Sequence, residues 1–213
     1  MCNAFKALLY SLCIGFSFNS KAEVSKIREK DSPKLGGVSF SLLALPTEFN
    51  ISSKSSISGS HNGQARSESA PGIGIGYIYQ NLHGIGFTTQ TSYIGQNFTD
   101  SSTNEKGQMQ ILRVEANLNY TFNSTFSIKG GINASKITNE IGNLSNSYAT
   151  FNPGLGYQAL LSMNINHWLG IDLGYTEINL PFTSSYPQPD NLMDHSKGNL
   201  KVFGPELSLY LIF

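Results

Sequence analysis

The sequence predicts an all-β fold, an eight-stranded antiparallel up-and-down transmembrane β-barrel. Three observations predict it. Apolar residues recur at every second position over unusually long runs, such as 112–122. Two is the strand period, and ~9–11 residues is the length of a tilted strand crossing a bilayer, against ~5–6 for a globular strand. The connections alternate between short and long. Only 13% of the 213 residues are charged, about half the ~25% of soluble domains. The 14 basic and 14 acidic residues cancel, leaving no basic footprint for nucleic acid.

The elements follow in order. Met1–Lys6 carries one positive charge, Ala7–Phe18 is apolar, and Ser20-Lys21-Ala22 offers small residues before a cut. This is the pattern of a cleaved secretory signal over 1–22. The apolar run is shorter than the ~20 residues of a membrane helix. Cys2 and Cys13 both fall within the expected signal, so residues 23–213 hold no disulfide. Residues 23–33, with Glu23, Lys26, Arg28, Glu29, Lys30 and Asp31, read as a periplasmic tether ending at Pro33. Residues 34–213 read as the barrel.

Eight strands are expected at roughly 34–45, 69–80, 84–95, 109–122, 126–138, 149–163, 168–178 and 200–213. In the first, Val38, Phe40 and Leu42 alternate with Ser39, Ser41 and Leu43. Ile73, Ile75, Tyr77 and Tyr79 alternate with Gly72, Gly74, Gly76 and Ile78. Ile85, Phe87 and Tyr93 mark one face of the third strand. Leu112, Val114, Ala116, Leu118, Tyr120 and Phe122 oppose Arg113, Glu115, Asn117, Asn119 and Thr121 in the fourth. The fifth shows Phe126, Ile128 and Ile132 on one side and Lys129 and Asn133 on the other. The sixth alternates Phe151, Leu155, Tyr157 and Leu161 with Gly154, Gly156 and Gln158. The seventh alternates Leu169, Ile171, Leu173 and Tyr175 with Gly170, Asp172 and Gly174. In the last, Leu207, Leu209, Leu211 and Phe213 interleave with Glu206, Ser208, Tyr210 and Ile212.

Three short periplasmic turns begin at Asn81, Asn123 and Asn164. Four long outer loops are expected near 46–68, 96–108, 139–148 and 179–199, rich in Ser, Asn, Gly and Thr. Outer-membrane barrels sort their loops in this way, and a soluble sandwich has no reason to. The outward sets carry charge only at their ends (Lys136, Glu177, Lys201), as expected where Lys or Arg at mid-depth costs ~2–4 kcal/mol. Aromatic girdles are expected at two rims. Tyr77, Tyr79, Tyr120, Phe122, Phe126 and Trp168 fall near the short turns, and Tyr93, Phe151, Tyr175 and Phe203 near the long loops. Pro71, Pro153 and Pro205 sit near strand starts, where Pro is tolerated.

The terminal Leu207-Ser-Leu209-Tyr-Leu211-Ile-Phe213, with the strands before it, resembles the small eight-stranded outer-membrane barrels of Gram-negative bacteria, the OmpA/OmpX-like outer membrane protein beta-barrel domain family. The resemblance covers the chain from about Lys34. It implies a Gram-negative outer-membrane location and a C-terminal signal, Leu207, Leu209, Leu211 and Phe213, read by the barrel-assembly machinery. The peptidoglycan-binding domain that follows the barrel in OmpA itself has no counterpart in this sequence.

Eight strands enclose a space that side chains fill. Five inward positions carry charge, Arg113, Glu115, Lys129, Asp172 and Glu206, and buried charges must pair. Arg113 with Glu115 or Glu206, and Lys129 with Asp172, would pair four of the five, with register open. This argues for a plugged lumen and a structural or surface-interaction role, in adhesion or membrane integrity, through the outer loops. Outer-membrane lipid, lipopolysaccharide and a cell-surface ligand are the expected partners. One alternative is a narrow OmpW-like pathway for small hydrophobic molecules, which the inward charges disfavour. Another is a surface lipid-modifying enzyme built on His61 or His195 with Asp190, Asp194 or Ser196, although no His-x-Ser spacing occurs. Gly72, Gly74 and Gly76 lack the third Gly of a dinucleotide loop, since Tyr stands at 77. No cofactor, metal or catalytic residue is expected.

Overall fold

The computed structural model describes residues 35–45, 48–57, 59–67, 70–80, 84–100, 106–123, 125–142, 148–187 and 193–213. The expected signal segment, the tether and Asp190 lie outside them. Within them, eleven strands make one antiparallel sheet: β1 (Leu35–Ala44), β2 (Glu48–Ser55), β3 (Ser60–Ser67), β4 (Pro71–Gln80), β5 (Ile85–Asp100), β6 (Lys106–Thr121), β7 (Phe126–Gly142), β8 (Tyr148–Phe151), β9 (Gly154–Asn164), β10 (Leu169–Pro187) and β11 (Met193–Ile212). Eight of them close on themselves. The pairing runs β1–β4–β5–β6–β7–β9–β10–β11, and β11 returns to β1 from Ser39↔Ile212 to Ala44↔Leu207. Phe213 seals the seam, its N–H donating to the Val38 carbonyl at 2.9 Å.

The alternation read from the sequence sets the wall. Leu118, Leu155, Ile73 and Leu42 are exposed on the outside, whereas Ser41, Asn117, Gln158 and Ser208 are buried inside. An apolar exterior around a polar interior suits a chain whose outer solvent is hydrocarbon.

Beyond a rim near Tyr93, Leu112, Tyr175 and Phe203 the strands continue and the polarity inverts. On β11, the outward residues change from Leu209, Leu207 and Phe203 to Lys201, Asn199 and Lys197, while Val202 and Leu200 are buried inside. On β10, Ile178 and Leu180 are buried. β10 and β11 stay paired from Leu169↔Leu211 to Pro187↔Met193. The expected loop 179–199 is therefore largely two strands. In the sequence it looked like a loop because its apolar residues had moved to the other parity and its outward positions were polar. The expected loop 46–68 likewise folds as the β2–β3 hairpin, which pairs with β11 from Ser196↔Ser55 to Phe203↔Glu48 and with β5 from Ala65↔Asp100 to Ser67↔Phe98.

The sixth expected strand needs a correction. It is split at Asn152–Pro153 into β8 and β9, because Pro has no N–H to give a ladder. Phe151 thus leaves the lipid-facing girdle and packs against the apolar interior of the extension, 5.5 Å from the Phe182 ring.

A charge placed at Leu118, 70% exposed and midway along its strand's apolar face, should destabilise the barrel in bilayers. We expect Leu118→Arg to cost about 2–4 kcal/mol in reversible urea titrations in lipid. An unchanged midpoint would mean this face does not meet hydrocarbon.

Candidate functional site

Side chains from opposite walls meet across the lumen. β6 presents Arg113, Glu115, Asn117 and Asn119 inward at alternate positions, and β11 presents Glu206, Ser208 and Tyr210. Four steps around the eight-stranded ring separate β6 from β11, so the two face each other. Arg113 spans the gap. Its Nη1 donates to Glu206 Oε2 at 2.9 Å and its Nη2 to Glu206 Oε1 at 2.7 Å. Nη2 also lies 3.0 Å from Glu115 Oε2, and Nε donates to Ser92 Oγ at 3.2 Å. Such a two-pronged contact uses the planar fork that Lys lacks.

A second pair lies nearer the short-turn side. Lys129 Nζ donates to both Asp172 oxygens at 2.9 Å and stands 4.4 Å from the centre of the Tyr210 ring. The Tyr210 hydroxyl donates to Asn164 Oδ1 at 2.7 Å and meets Ser162 Oγ at 2.9 Å. Gly170 makes room for that ring, since a Cβ there would fall on Tyr210. Gln158 joins the layers, donating to Asn117 Oδ1 at 2.9 Å and accepting from Asn133 Nδ2 at 3.2 Å. The space left among Glu115, Lys129, Asp172, Glu206 and Tyr210 is about 10 Å³, room for about one water.

Above the charges sits an apolar layer that the sequence reading missed. Leu45, Phe49, Ile94, Ile111, Leu180 and Val202 are each at most 2% exposed and pack in one cluster. Phe49 comes from the β2–β3 hairpin. The available signal was parity: Ile94, Ile111 and Val202 occupy inward positions of their strands.

The remaining sequence-named residues lie on the outer wall. Tyr77, Tyr93, Tyr120, Phe122, Phe126 and Trp168 are exposed, while Tyr79, Tyr175 and Phe203 are half-buried. Tyr79 stacks on Phe87 at 5.5 Å, and Tyr120 meets Phe122 edge-on at 5.3 Å. Leu207, Leu209, Leu211 and Phe213 all point outward, with the Phe213 ring edge-on to Phe40 at 5.9 Å.

Of the residues considered for catalysis, the described side chains of Asp194, His195 and Ser196 do not converge, and the His61 side chain lies outside the described ones. His195 is exposed, with Nδ1 3.0 Å from Ser185 Oγ. Asp194 is buried on the other face of β11 and accepts from Ser55 Oγ at 2.6 Å and Ser56 Oγ at 2.8 Å. Ser196 is also inward, accepting from Ser184. Acid and imidazole therefore sit back to back. Among the described residues no group of three His, Cys, Asp or Glu could hold a metal.

The Ser55 and Ser56 hydroxyls hold the Asp194 carboxyl below its ordinary 3.8. A carboxylate with a lowered folded pKa adds stability above its unfolded pKa and loses it as pH falls through the folded one. The protection of the Ser55–Ile57 amides, their exchange divided by the intrinsic rate at each pH, should thus be high at pH 6 and fall as pH drops below the ordinary value. Protection that stays constant over that range would sever this tie. Within the lumen, Glu206→Ala should cost more than Glu115→Ala, about 3 kcal/mol or more, because it removes two of Arg113's contacts. Urea titration in lipid compares them, and equal costs would contradict the geometry.

Comparison with known proteins returns the same architecture. A family model described as outer membrane protein beta-barrel domain matches residues 37–200. Among solved structures, the outer membrane protein AlkL is similar at 11% identity, with TM-score 0.54, over 89% of this chain and 96% of AlkL. OprG from Pseudomonas aeruginosa is 12% identical, with TM-score 0.49, over 81% of this chain and 96% of OprG. Neisserial surface protein A is 16% identical, with TM-score 0.41, over 83% of this chain and 99% of that protein. No curated protein matches the sequence.

Proposed function

Because the chain belongs to the outer membrane protein beta-barrel domain family and so resides in the Gram-negative outer membrane, we propose that it works there as a plugged barrel whose active surface is its outer extension. Its role on this reading is structural or one of surface interaction, and not catalytic. The observation that carries it is the Arg113–Glu206 contact across the lumen at 2.7 and 2.9 Å. The apolar layer around Phe49 supports it, as a second closure above the charges. Ile57, 59% exposed beside the hairpin tip, and Ile51, 37% exposed on β2, supply apolar contact on the extension, as binding surfaces do. Outer-membrane lipid, lipopolysaccharide and a cell-surface ligand are its partners on this reading. The barrel-assembly machinery would read Leu207, Leu209, Leu211 and Phe213 during insertion.

The apolar lining of the outer half favours a second reading, a narrow pathway for small hydrophobic molecules. Such a molecule would still have to pass Arg113, Glu206, Lys129 and Asp172, which fill the space below.

Planar-bilayer recordings decide between them. The refolded wild type should show no steady conductance, and an Arg113→Ala/Phe49→Ala double variant should open more than either single variant. Steady ion-selective current through the wild type would move the function to transport.

A further inference from the structure

On the outer wall of the extension, Lys54 of β2 stands directly opposite Lys197 of β11. Both are exposed. Like charges at directly opposed strand positions destabilise a sheet. Among the described residues neither has a carboxylate partner, and the one outward ion pair of this face joins Lys201 to Glu177 at 2.8 Å. Glu48 lies lower, opposite Phe203. The positions around the two lysines carry neutral hydrogen-bonding groups, with Ser60 across from Lys54 and Thr183 across from Lys197.

The placement narrows the ligand. Phe203 is the last outward residue of the lipid-facing band on β11, Lys201 the next outward position, and Lys197 four residues further. At ~3.4 Å per residue and a tilt of ~40°, Lys197 stands about 10 Å above Lys201. The ladder thus continues the lipid-facing surface into the headgroup layer and past the height of a single glycerophosphate. We propose that Lys54 and Lys197 form a binding site for a phosphate of the phosphorylated saccharide headgroup of an outer-leaflet glycolipid. A phosphate between the lysines turns their repulsion into two charge-assisted hydrogen bonds, and Ser60 and Thr183 are placed to bind sugar hydroxyls.

The site rests on the reading that this end of the barrel faces the cell exterior, so the test separates the two. The full chain in phosphatidylcholine nanodiscs is titrated with rough lipopolysaccharide and with the same glycolipid after enzymatic dephosphorylation. Lys54→Ala/Lys197→Ala should weaken binding of the intact glycolipid about thirtyfold. Lys54→Arg/Lys197→Arg should restore it, and Lys106→Ala, exposed on β6, should leave it unchanged. Dephosphorylation should weaken wild-type binding by a similar factor and abolish the difference between wild type and the Ala variant. The site is overturned if the Ala variant binds as wild type, if dephosphorylation has no effect, or if inorganic phosphate competes at equal concentration. Labelling of Gln108→Cys, exposed on β6 away from the two lysines, on intact cells by an impermeant maleimide tests the exterior reading. With labelling, a failed titration overturns this site alone. A protected Cys overturns both.

Discussion

Hydrocarbon offers no hydrogen bonds, and the rest of the structure follows from that. Every backbone N–H and C=O inside the band must find a partner within the protein. The β1–β11 seam, with Phe213 bonded to Val38, removes the two edges an open sheet would leave. Closure with eight strands fixes a narrow interior. That interior is cut off from lipid, so it takes the polar side chains of each alternating strand. Arg113, Glu115, Glu206, Lys129 and Asp172 are buried by the same geometry that pairs them. Removing Arg113 or Lys129 leaves carboxylates uncompensated in a site with almost no free volume.

Where the strands leave the bilayer, the solvent outside them becomes water and the arrangement reverses. Lys197, Asn199 and Lys201 face out, and Leu180, Leu200 and Val202 face in. The backbone does not break at this boundary, since β10 and β11 keep one register through it. The hydrophobic effect that is absent between wall and lipid below returns above, and it draws Phe49 and the β2–β3 hairpin over the mouth. On the proposed reading the lumen is thus closed twice by different forces, ion pairing in the lower part and apolar packing in the upper.

This inversion also explains what could be read from the sequence. Within the bilayer, one rule holds along each strand, so β6 and the C-terminal strand are legible residue by residue, and so is the inward parity of the five charged positions. Which cation meets which carboxylate depends on the order of strands around the ring: Arg113 and Glu206 are 93 residues apart in sequence and meet only because β6 and β11 are diametrically opposed. Above the rim the rule switches parity within a few residues. Segments such as 179–187 and 48–55 then resemble polar loops although they are strands. Asp194 and His195 show the same limit at one position: neighbours in sequence, they face opposite sides of β11, so sequence proximity says nothing about a shared site.

The most direct test of a doubly closed lumen is water accessibility along β11. Single Cys residues at 197, 201, 202, 207, 208 and 209, introduced in lipid-reconstituted protein, would be reacted with a small charged thiol reagent from both sides. Fast labelling is expected at 197 and 201 and none at 207 and 209, which face lipid. None is expected at 202 and 208, which face the interior, and neither replacement touches an ion pair. Rapid labelling at 202 or 208 would mean an open aqueous path and would contradict a doubly closed lumen.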